Sequence, residues 1–173
     1  DDAYGDGYRN VDPEEDARQY MEVLQQQYDA ARNDPSRERW DELSNTVIDI
    51  TENCTQEGGE DFLNAFKNLM QNGNNETFFK NALARMFPND MVIKGILIKL
   101  LSELMQDQVA ERQGNEIRDM VRRWGIRDDV RRYAAHVNRN HMYPDPPSGE
   151  RREYETWFRD AHIFYANRLL HYL

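Results

Sequence analysis

The feature that most restricts the fold of this 173-residue chain is an apolar run near its middle. Residues 91–105 read MVIKGILIKLLSELM, and only Lys94, Lys99 and Glu103 are charged, although 31% of the whole chain is charged and its net charge is -10. A helix that is apolar on nearly every face must be covered on every face. The run is too short and too charged to cross a bilayer of about 30 Å, and it lacks the cationic face of a membrane-surface helix. It therefore predicts a central helix surrounded by other helices.

Amphipathic segments flank this run on both sides. In the first of them, Asp12-Pro13 has the pattern of an N-cap followed by proline, with acidic residues in the first turn. Apolar residues then recur at spacings of three and four, and no stretch alternates in the manner of a strand. Pro88 is expected to end the helix before the central one, which Asn89 or Asp90 would cap. The other helices are predicted at about 13–33, 36–54, 62–70, 78–87, 114–124, 127–140 and 151–173.

These segments predict an all-α fold of about seven to eight helices. Helices of this length with short breaks are typical of stacked antiparallel hairpins, as in a HEAT- or armadillo-like superhelix. Residues 1–12 are predicted to form an acidic flexible arm. Residues 13–173 are predicted to form one helical-repeat domain, with a loop at 141–150 before the last helix. The predicted core residues are Val47, Ile48, Phe62, Phe66, Phe79, Leu83, Ile98, Leu101, Leu104 and Trp124.

Residue types that carry catalysis or bind metals do not form a recognisable motif. The four histidines, at 136, 141, 162 and 171, fit no metal-binding spacing and are predicted to be surface or half-buried. The single cysteine, Cys54, excludes an internal disulfide and is expected to be a core thiol. Asn53 and Asn75 each begin a glycosylation triplet, a short pattern that also arises by chance. The sequence thus predicts no enzyme, no catalytic residue, no metal site and no cofactor.

Three segments, in order, resemble the middle-domain family of eukaryotic translation initiation factor 4G. The first, VIDITENCTQEGGEDFLNAFKNLM at residues 47–70, has that family's opening Val-Ile-Asp, its turn followed by Phe, and its closing Leu-Met. The second, FFKNALARMF at 78–87, is similar to its short Phe-Lys-x-x-Leu helix. The third, ILIKLLSELM at 96–105, is similar to its Asn-Ile-Arg-Phe-Ile-Gly-Glu-Leu helix, with Ser102 in place of the Gly. The resemblance spans about residues 47 to 125.

The resemblance implies a helical-hairpin scaffold without catalysis, in a cytoplasmic factor of translation or mRNA regulation. Members of that family hold protein partners, such as a DEAD-box RNA helicase or another initiation factor, and some hold RNA. The expected partners of this chain are therefore a translation initiation factor or an RNA helicase, with RNA as a further candidate and no membrane.

Basic residues are concentrated in one part of the chain. Residues 1–62 carry 18 acidic and 5 basic residues, whereas residues 112–139 carry eight arginines and four acidic residues. Guanidinium groups bind phosphates or carboxylates in a fixed fork geometry. Pairing with neighbouring carboxylates such as Asp119, Asp128 and Asp129 is the competing interpretation. The predicted partner-binding residues, for protein or RNA, are Arg118, Arg122, Arg123, Arg127, Arg131 and Arg132.

A self-assembling structural protein, viral or otherwise multimeric, is the alternative function. It is suggested by aromatic residues in polar surroundings, which could be buried when copies associate. These residues are Tyr4, Tyr8, Tyr143 and Tyr154.

Overall fold

The structure is a computed structural model, and it describes residues 12–85, 88–105, 114–139 and 149–173. Within these ranges it contains eight α-helices and no strand, so the predicted all-α fold is confirmed. The predicted arm and most of the predicted loop at 141–150 lie outside the described residues. The helices are α1 (Pro13–Asn33), α2 (Arg37–Thr55), α3 (Glu60–Gln71), α4 (Gly73–Ala84), α5 (Pro88–Met105), α6 (Gly114–Arg123), α7 (Arg127–Arg139) and α8 (Gly149–Tyr172).

Local capping explains why several helices begin where the sequence predicts. The Asp12 carboxylate accepts a hydrogen bond from the Glu14 amide at 3.1 Å, and Pro13 is the first residue of α1. The Ser36 hydroxyl accepts from the Arg39 amide at 3.2 Å and begins α2. Each cap satisfies one of the backbone N–H groups that a helix leaves without an internal partner.

Three predicted boundaries differ from the structure. The predicted break before α4 is reduced to Asn72, whose side chain accepts from the Asn74 amide at 3.2 Å, so α4 starts earlier than predicted. Pro88 is the first residue of α5, a position that suits proline because the N–H there has no intrahelical acceptor. Asp90 therefore lies inside the first turn of α5 and does not cap it. At the other end of the chain, α8 begins at Gly149, inside the predicted loop.

The central helix is α5, which contacts α1, α2, α4, α6, α7 and α8. From residue 90 to residue 105 all positions are buried except Lys99 and Glu103, which are half-buried. The two exceptions are held by α8, since the Lys99 ammonium lies 4.8 Å from the Tyr165 ring centre and Glu103 pairs with Arg168 at 3.0 Å. The prediction of a helix covered on every face is confirmed.

The contacts of the helices go beyond those of a simple stack of hairpins. In a regular solenoid each repeat contacts only its neighbours in the sequence. Here α5 also contacts α1, α2 and α8, and α1 packs on α3 as well as on α2. The helical-hairpin arrangement agrees with the prediction, whereas the superhelical form is not confirmed, and the fold is best described as helices packed around α5.

Of the ten predicted core residues, nine are buried. The exception is Ile48, which is half-buried because it lies at the edge of the inward stripe of α2. That stripe is centred on Val47 and Ile50, and Ile48 is displaced from Val47 by about 100° around the helix axis. The nine buried residues are Val47, Phe62, Phe66, Phe79, Leu83, Ile98, Leu101, Leu104 and Trp124.

Candidate docking surfaces

One of the six predicted partner-binding arginines, Arg118, stabilises the interior of the fold. Its Nε and Nη2 atoms donate to the backbone oxygen of Met105 at 3.0 and 2.7 Å, at the end of α5. The guanidinium also lies 4.3 Å from the centre of the Tyr172 ring, near the end of α8. Arg118 thereby ties α6 to two other helices, and its role in partner binding stays a prediction.

Arg122 reinforces the same junction. Its Nε atom donates to the backbone oxygen of Tyr172 at 2.9 Å, and its Nη1 atom lies 3.5 Å from the Asp119 carboxylate. The side chain remains about half exposed. Because Tyr172 is fifty residues further along the chain, no local pattern around Arg122 could have predicted this contact.

The other four predicted arginines are exposed: Arg123 at the end of α6, and Arg127, Arg131 and Arg132 in the first two turns of α7. We call these four residues the arginine corner. Arg131 lies 3.9 Å from Asp128, an exposed pair that contributes little to stability, whereas Arg132 contacts Asp129, whose side chain is only 17% exposed. Within the part of the chain that the structure describes, Arg123 and Arg127 have no ion-pair partner. The guanidinium groups of Arg123 and Arg127 are therefore available to bind a partner.

The turn between α6 and α7, next to the arginine corner, is held in place by buried side chains. Trp124 is buried, stacks on Phe79 at 6.2 Å between ring centres, and donates its indole N–H to the Glu76 carboxylate of α4. Gly125 has φ +66°, a conformation that glycine adopts without strain, and Ile126 is buried beside it. The inward anchors hold the turn in place while the arginine side chains point to solvent.

Asp90 forms a buried ion-pair junction. It is 5% exposed, and its two carboxylate oxygens accept hydrogen bonds from Arg32 Nε at 3.3 Å and Arg85 Nε at 2.9 Å. The two arginines belong to α1 and to the end of α4, so the junction fixes both against α5. Burial, followed by the Asp90 charge, raises the pKa of the adjacent Tyr28 to about 12. The junction is structural, because each carboxylate oxygen already has a charged donor.

Lys94 is a second charged group inside the core. It is 1% exposed, and burial lowers the pKa of its ammonium to about 8, while the charges of Asp129 and Asp90 oppose that shift. The nearby Arg132 lowers the same pKa further. A lysine at such a position requires an acidic environment, and Asp129 of α7 contributes to it. The sequence shows Lys94 as a charged residue inside the apolar run, but the pattern does not predict that its side chain is buried.

Gly95, Tyr133 and His162 bring α5, α7 and α8 together. A methyl group on Gly95 would lie 2.0 Å from the Tyr133 hydroxyl and 2.9 Å from His162 Nδ1, so only glycine fits between them. Burial lowers the pKa of His162 to about 4, against the opposing effect of its hydrogen bond with the Gly95 backbone. The prediction of a surface or half-buried residue was wrong for His162, which is 5% exposed. His136 is half-buried and His171 exposed, as predicted, while His141 lies outside the described residues.

Tyr133 is completely buried, and burial raises the pKa of its hydroxyl. In the described part of the chain that hydroxyl has no hydrogen-bond partner. Its close fit against Gly95 identifies it as a packing contact rather than a reactive group, since no described cleft reaches it.

A cleft of about 430 Å³ opens where the beginning of α1, the end of α2 and the beginning of α3 meet. Two carboxylates, Asp16 and Asp61, and two aromatic rings, Tyr20 and Phe62, line it, and none of the described lining residues is basic. The rings contact edge to face, with centres 5.7 Å apart. Asp16 is half-buried, and burial raises the pKa of its carboxyl group. The remaining lining residues are Pro13, Asn53, Gln56, Gly58 and Gly59.

The remaining candidate residues serve the fold. Cys54 is buried as expected, and burial raises the pKa of its thiol to about 12, so it is held as a thiol. The Asn75 side chain accepts from Gln25 at 2.8 Å and donates to the Leu69 backbone oxygen at 3.0 Å. Asn53, the other asparagine of a glycosylation triplet, lies within α2. In the described ranges, no three His, Cys, Asp or Glu side chains are grouped so that they could hold a metal ion.

None of the described helices combines the length and the apolar character needed to pass through a bilayer. Comparison of the chain with protein-family models, with curated proteins and with solved structures finds no match.

Proposed function

We propose that this chain is a non-catalytic docking domain of a cytoplasmic factor in translation or mRNA regulation. The observation that carries the proposal is the arginine corner, whose four exposed arginines lie at the end of α6 and in the first two turns of α7, in a chain whose net charge is -10. The proposed occupant is an acidic surface of a translation initiation factor or a DEAD-box RNA helicase. The choice of these partners rests on the resemblance of residues 47–125 to the middle domain of initiation factor 4G.

The anchoring of the corner supports a docking role. A guanidinium group presents five donors in a rigid plane that matches a carboxylate, and Arg is enriched at interface hot spots. Because Trp124 and Ile126 are buried and hold the turn from inside, little conformational freedom of the backbone remains to be lost when a partner binds. The exposed pair of Arg131 with Asp128 can exchange for a carboxylate of the partner at small cost.

RNA is a second candidate partner, because phosphates and carboxylates accept the same guanidinium donors. The acidic balance of the whole chain favours a protein over the extended phosphate contacts of RNA, which depend on a broad basic surface. The two partners differ in an observable way: contacts to phosphates release counterions, so the affinity for RNA would fall steeply with salt.

A quantitative pull-down from cytoplasmic extract tests the proposal. The bait is compared with the Arg123→Glu/Arg127→Glu/Arg131→Glu variant and with Arg39→Glu, which reverses the charge of a half-buried residue on α2, away from the arginine corner. We expect initiation factors or DEAD-box helicases to be enriched on the wild-type bait and on Arg39→Glu, and to be lost from the triple variant. Enrichment that resists ribonuclease supports a protein partner, whereas loss on ribonuclease treatment supports RNA. If neither class is enriched, or if enrichment survives in the triple variant, the proposal fails.

Self-assembly remains the alternative, and one observation favours it. Phe164 on α8 is 55% exposed, although the Arg168 guanidinium lies 4.8 Å from its ring centre. The tyrosines that first suggested self-assembly lie outside the residues whose side chains are described. Light scattering distinguishes the two functions, because a structural component should form multimers at high micromolar concentration, while a docking domain should remain monomeric at that concentration. Phe164→Ser should dissociate any multimer that depends on the exposed ring.

A further inference from the structure

We propose that the cleft between α1, α2 and α3 binds the side chain of an arginine from a basic segment of a protein partner. This site is separate from the arginine corner and opposite in charge, so it does not depend on the function proposed above. We call it the acidic cleft and define it by Asp16, Tyr20, Asp61 and Phe62, the residues that give it charge and aromatic surface. Its volume of about 430 Å³ falls within the usual range of ligand pockets.

Two carboxylates make the acidic cleft negatively charged. Asp16 comes from α1 and Asp61 from α3, and no described basic side chain lines the space between them. Acidic residues in the first turn of a helix also stabilise that helix, and the exposed Glu14 and Glu15 already do so for α1. Asp16 differs from them because it is half-buried beside the cleft, where desolvation makes a carboxylate costly unless a cation approaches.

The aromatic rings add a second element that suits a cation. Tyr20 and Phe62 meet at 89° between ring planes, which leaves aromatic surface on the wall of the cleft. A cation positioned within about 6 Å of a ring face is attracted by the ring quadrupole. Carboxylates and aromatic rings in one cleft thus accept both the charge and the flat surface of a guanidinium group.

The turn between α2 and α3 forms one wall of the cleft. Gly58 has φ +81°, and a methyl group on Gly59 would lie 2.4 Å from the backbone oxygen of Asn53. The backbone therefore passes close to the last carbonyl groups of α2, the negative end of the helix dipole. Gln56 Nε2 donates a hydrogen bond to Asn53 Oδ1 at 3.5 Å, and the carbonyl oxygens of these two side chains add acceptors near the same helix end.

The chemistry of the lining favours arginine over lysine or a metal ion. Acceptors lie on several sides of the cleft, and a guanidinium has five donors in one plane, whereas a lysine ammonium is compact and strongly hydrated. A hard metal ion would require several oxygen ligands around one point, and the described residues contain no group of three acidic or His/Cys side chains suited to that. The partner is therefore a protein with an exposed, arginine-containing segment.

Amide chemical-shift titration tests this proposal with N-acetyl-arginine methylamide as the probe. We expect saturable shifts confined to the amides around Asp16, Tyr20, Gly58 and Gly59, with a Kd of about 1 mM for so small a ligand. N-acetyl-citrulline methylamide has nearly the same shape without the charge and should cause no saturable shift. The corresponding lysine derivative should bind more weakly than the arginine derivative.

Single substitutions of carboxylates test which of them bind the arginine derivative. Asp16→Asn and Asp61→Asn should each weaken binding by about tenfold, because each removes a charge-assisted hydrogen bond. Asp49→Asn, an exposed carboxylate of α2 outside the cleft, should leave the affinity unchanged. Unaltered amide spectra of the unbound variants show that the fold is kept.

Three results would overturn the proposal. Shifts spread over the acidic surface, or equal binding of citrulline, would show that the cleft has no specific affinity for arginine. Undiminished binding by Asp16→Asn would place the ligand elsewhere. Binding that appears only after Arg9→Ala would assign the cleft to the amino-terminal segment of this same chain, not to a partner.

Discussion

Replacement of Gly95 by alanine tests the packing of the central helix with a single methyl group. That methyl would lie 2.0 Å from the Tyr133 hydroxyl and 2.9 Å from His162 Nδ1, whereas ordinary contacts begin at 3.4 Å. Tyr133 is completely buried, so it cannot move aside without disturbing α7. Overpacking of this kind costs about 3 kcal/mol, the upper end of the observed range, and alanine regains about 1 kcal/mol of helix propensity. We expect a net loss of about 2 kcal/mol.

Chemical and thermal denaturation measure this loss directly. For a chain of this length, about 2 kcal/mol corresponds to a decrease in Tm of about 4–8 °C. Gly73→Ala is the matched control, because its added methyl group meets nothing within 4 Å, and it should leave Tm unchanged or slightly raised. A Gly95→Ala variant as stable as that control would refute the contact between α5 and α7.

A second substitution identifies the atom responsible. Tyr133→Phe removes a buried hydroxyl that has no hydrogen-bond partner in the described part of the chain, so on its own it should change stability by less than about 1 kcal/mol. In the Gly95→Ala background it removes the 2.0 Å contact and leaves the 3.0 Å contact to the ring carbon and the 2.9 Å contact to His162 Nδ1. The double variant should recover about half of the lost stability. Strict additivity of the two changes would contradict the assigned contact.

Further predictions concern the interior and the surface. Arg118→Gln should lower the free energy of unfolding by about 1–3 kcal/mol, because it loses two hydrogen bonds and its contact with an aromatic ring. Arg131→Gln should change the free energy of unfolding by less than about 0.5 kcal/mol. Equal effects of the two substitutions would contradict the assignment of Arg118 to internal contacts and of Arg131 to the surface. Wild-type stability should fall by up to about 3 kcal/mol as the pH drops from about 6.5 to about 4, because the unfolded chain binds a proton at His162 that the folded chain refuses. In His162→Gln this part of the pH dependence should vanish, and an unchanged pH profile of stability would refute the burial of the imidazole. Leu101→Asp should prevent cooperative folding, as seen by circular dichroism, because it buries a lone carboxylate; a native unfolding transition would exclude the core position.

The sequence predicted most successfully where a signal is local. The N-cap at Asp12 and the helix start predicted at residue 36, where Ser36 is the N-cap, depend on interactions within a few residues. The apolar character of residues 91–105 predicted an enclosed helix because no polar face was left to meet solvent. These features depend on helix geometry alone, so periodicity suffices to detect them.

The sequence was uninformative where a side chain meets a partner far along the chain. Asp90 looked like a cap because it follows Pro88, yet its carboxylate is used by Arg32, 58 positions away. Arg118 looked like surface charge, and only the packing of α6 against α5 and α8 gives its donors an acceptor.

The acidic cleft was missed for a similar reason. Asp16 and Asp61 are ordinary first-turn residues in their own helices, and only the meeting of three helix ends places them in one space. The patterns that predicted the helices contain no information about which of their ends meet.

Native-state hydrogen exchange of the α5 backbone amides is the most direct test of whether this helix is enclosed by the others. Between Val92 and Leu104 the amides should exchange only when the whole domain unfolds, so their opening free energies should equal the global free energy of unfolding from denaturation. The exposed ends of α1 and α7 should exchange through smaller, local openings. If the amides of α5 exchanged as readily as those helix ends, the central position of α5 would be contradicted.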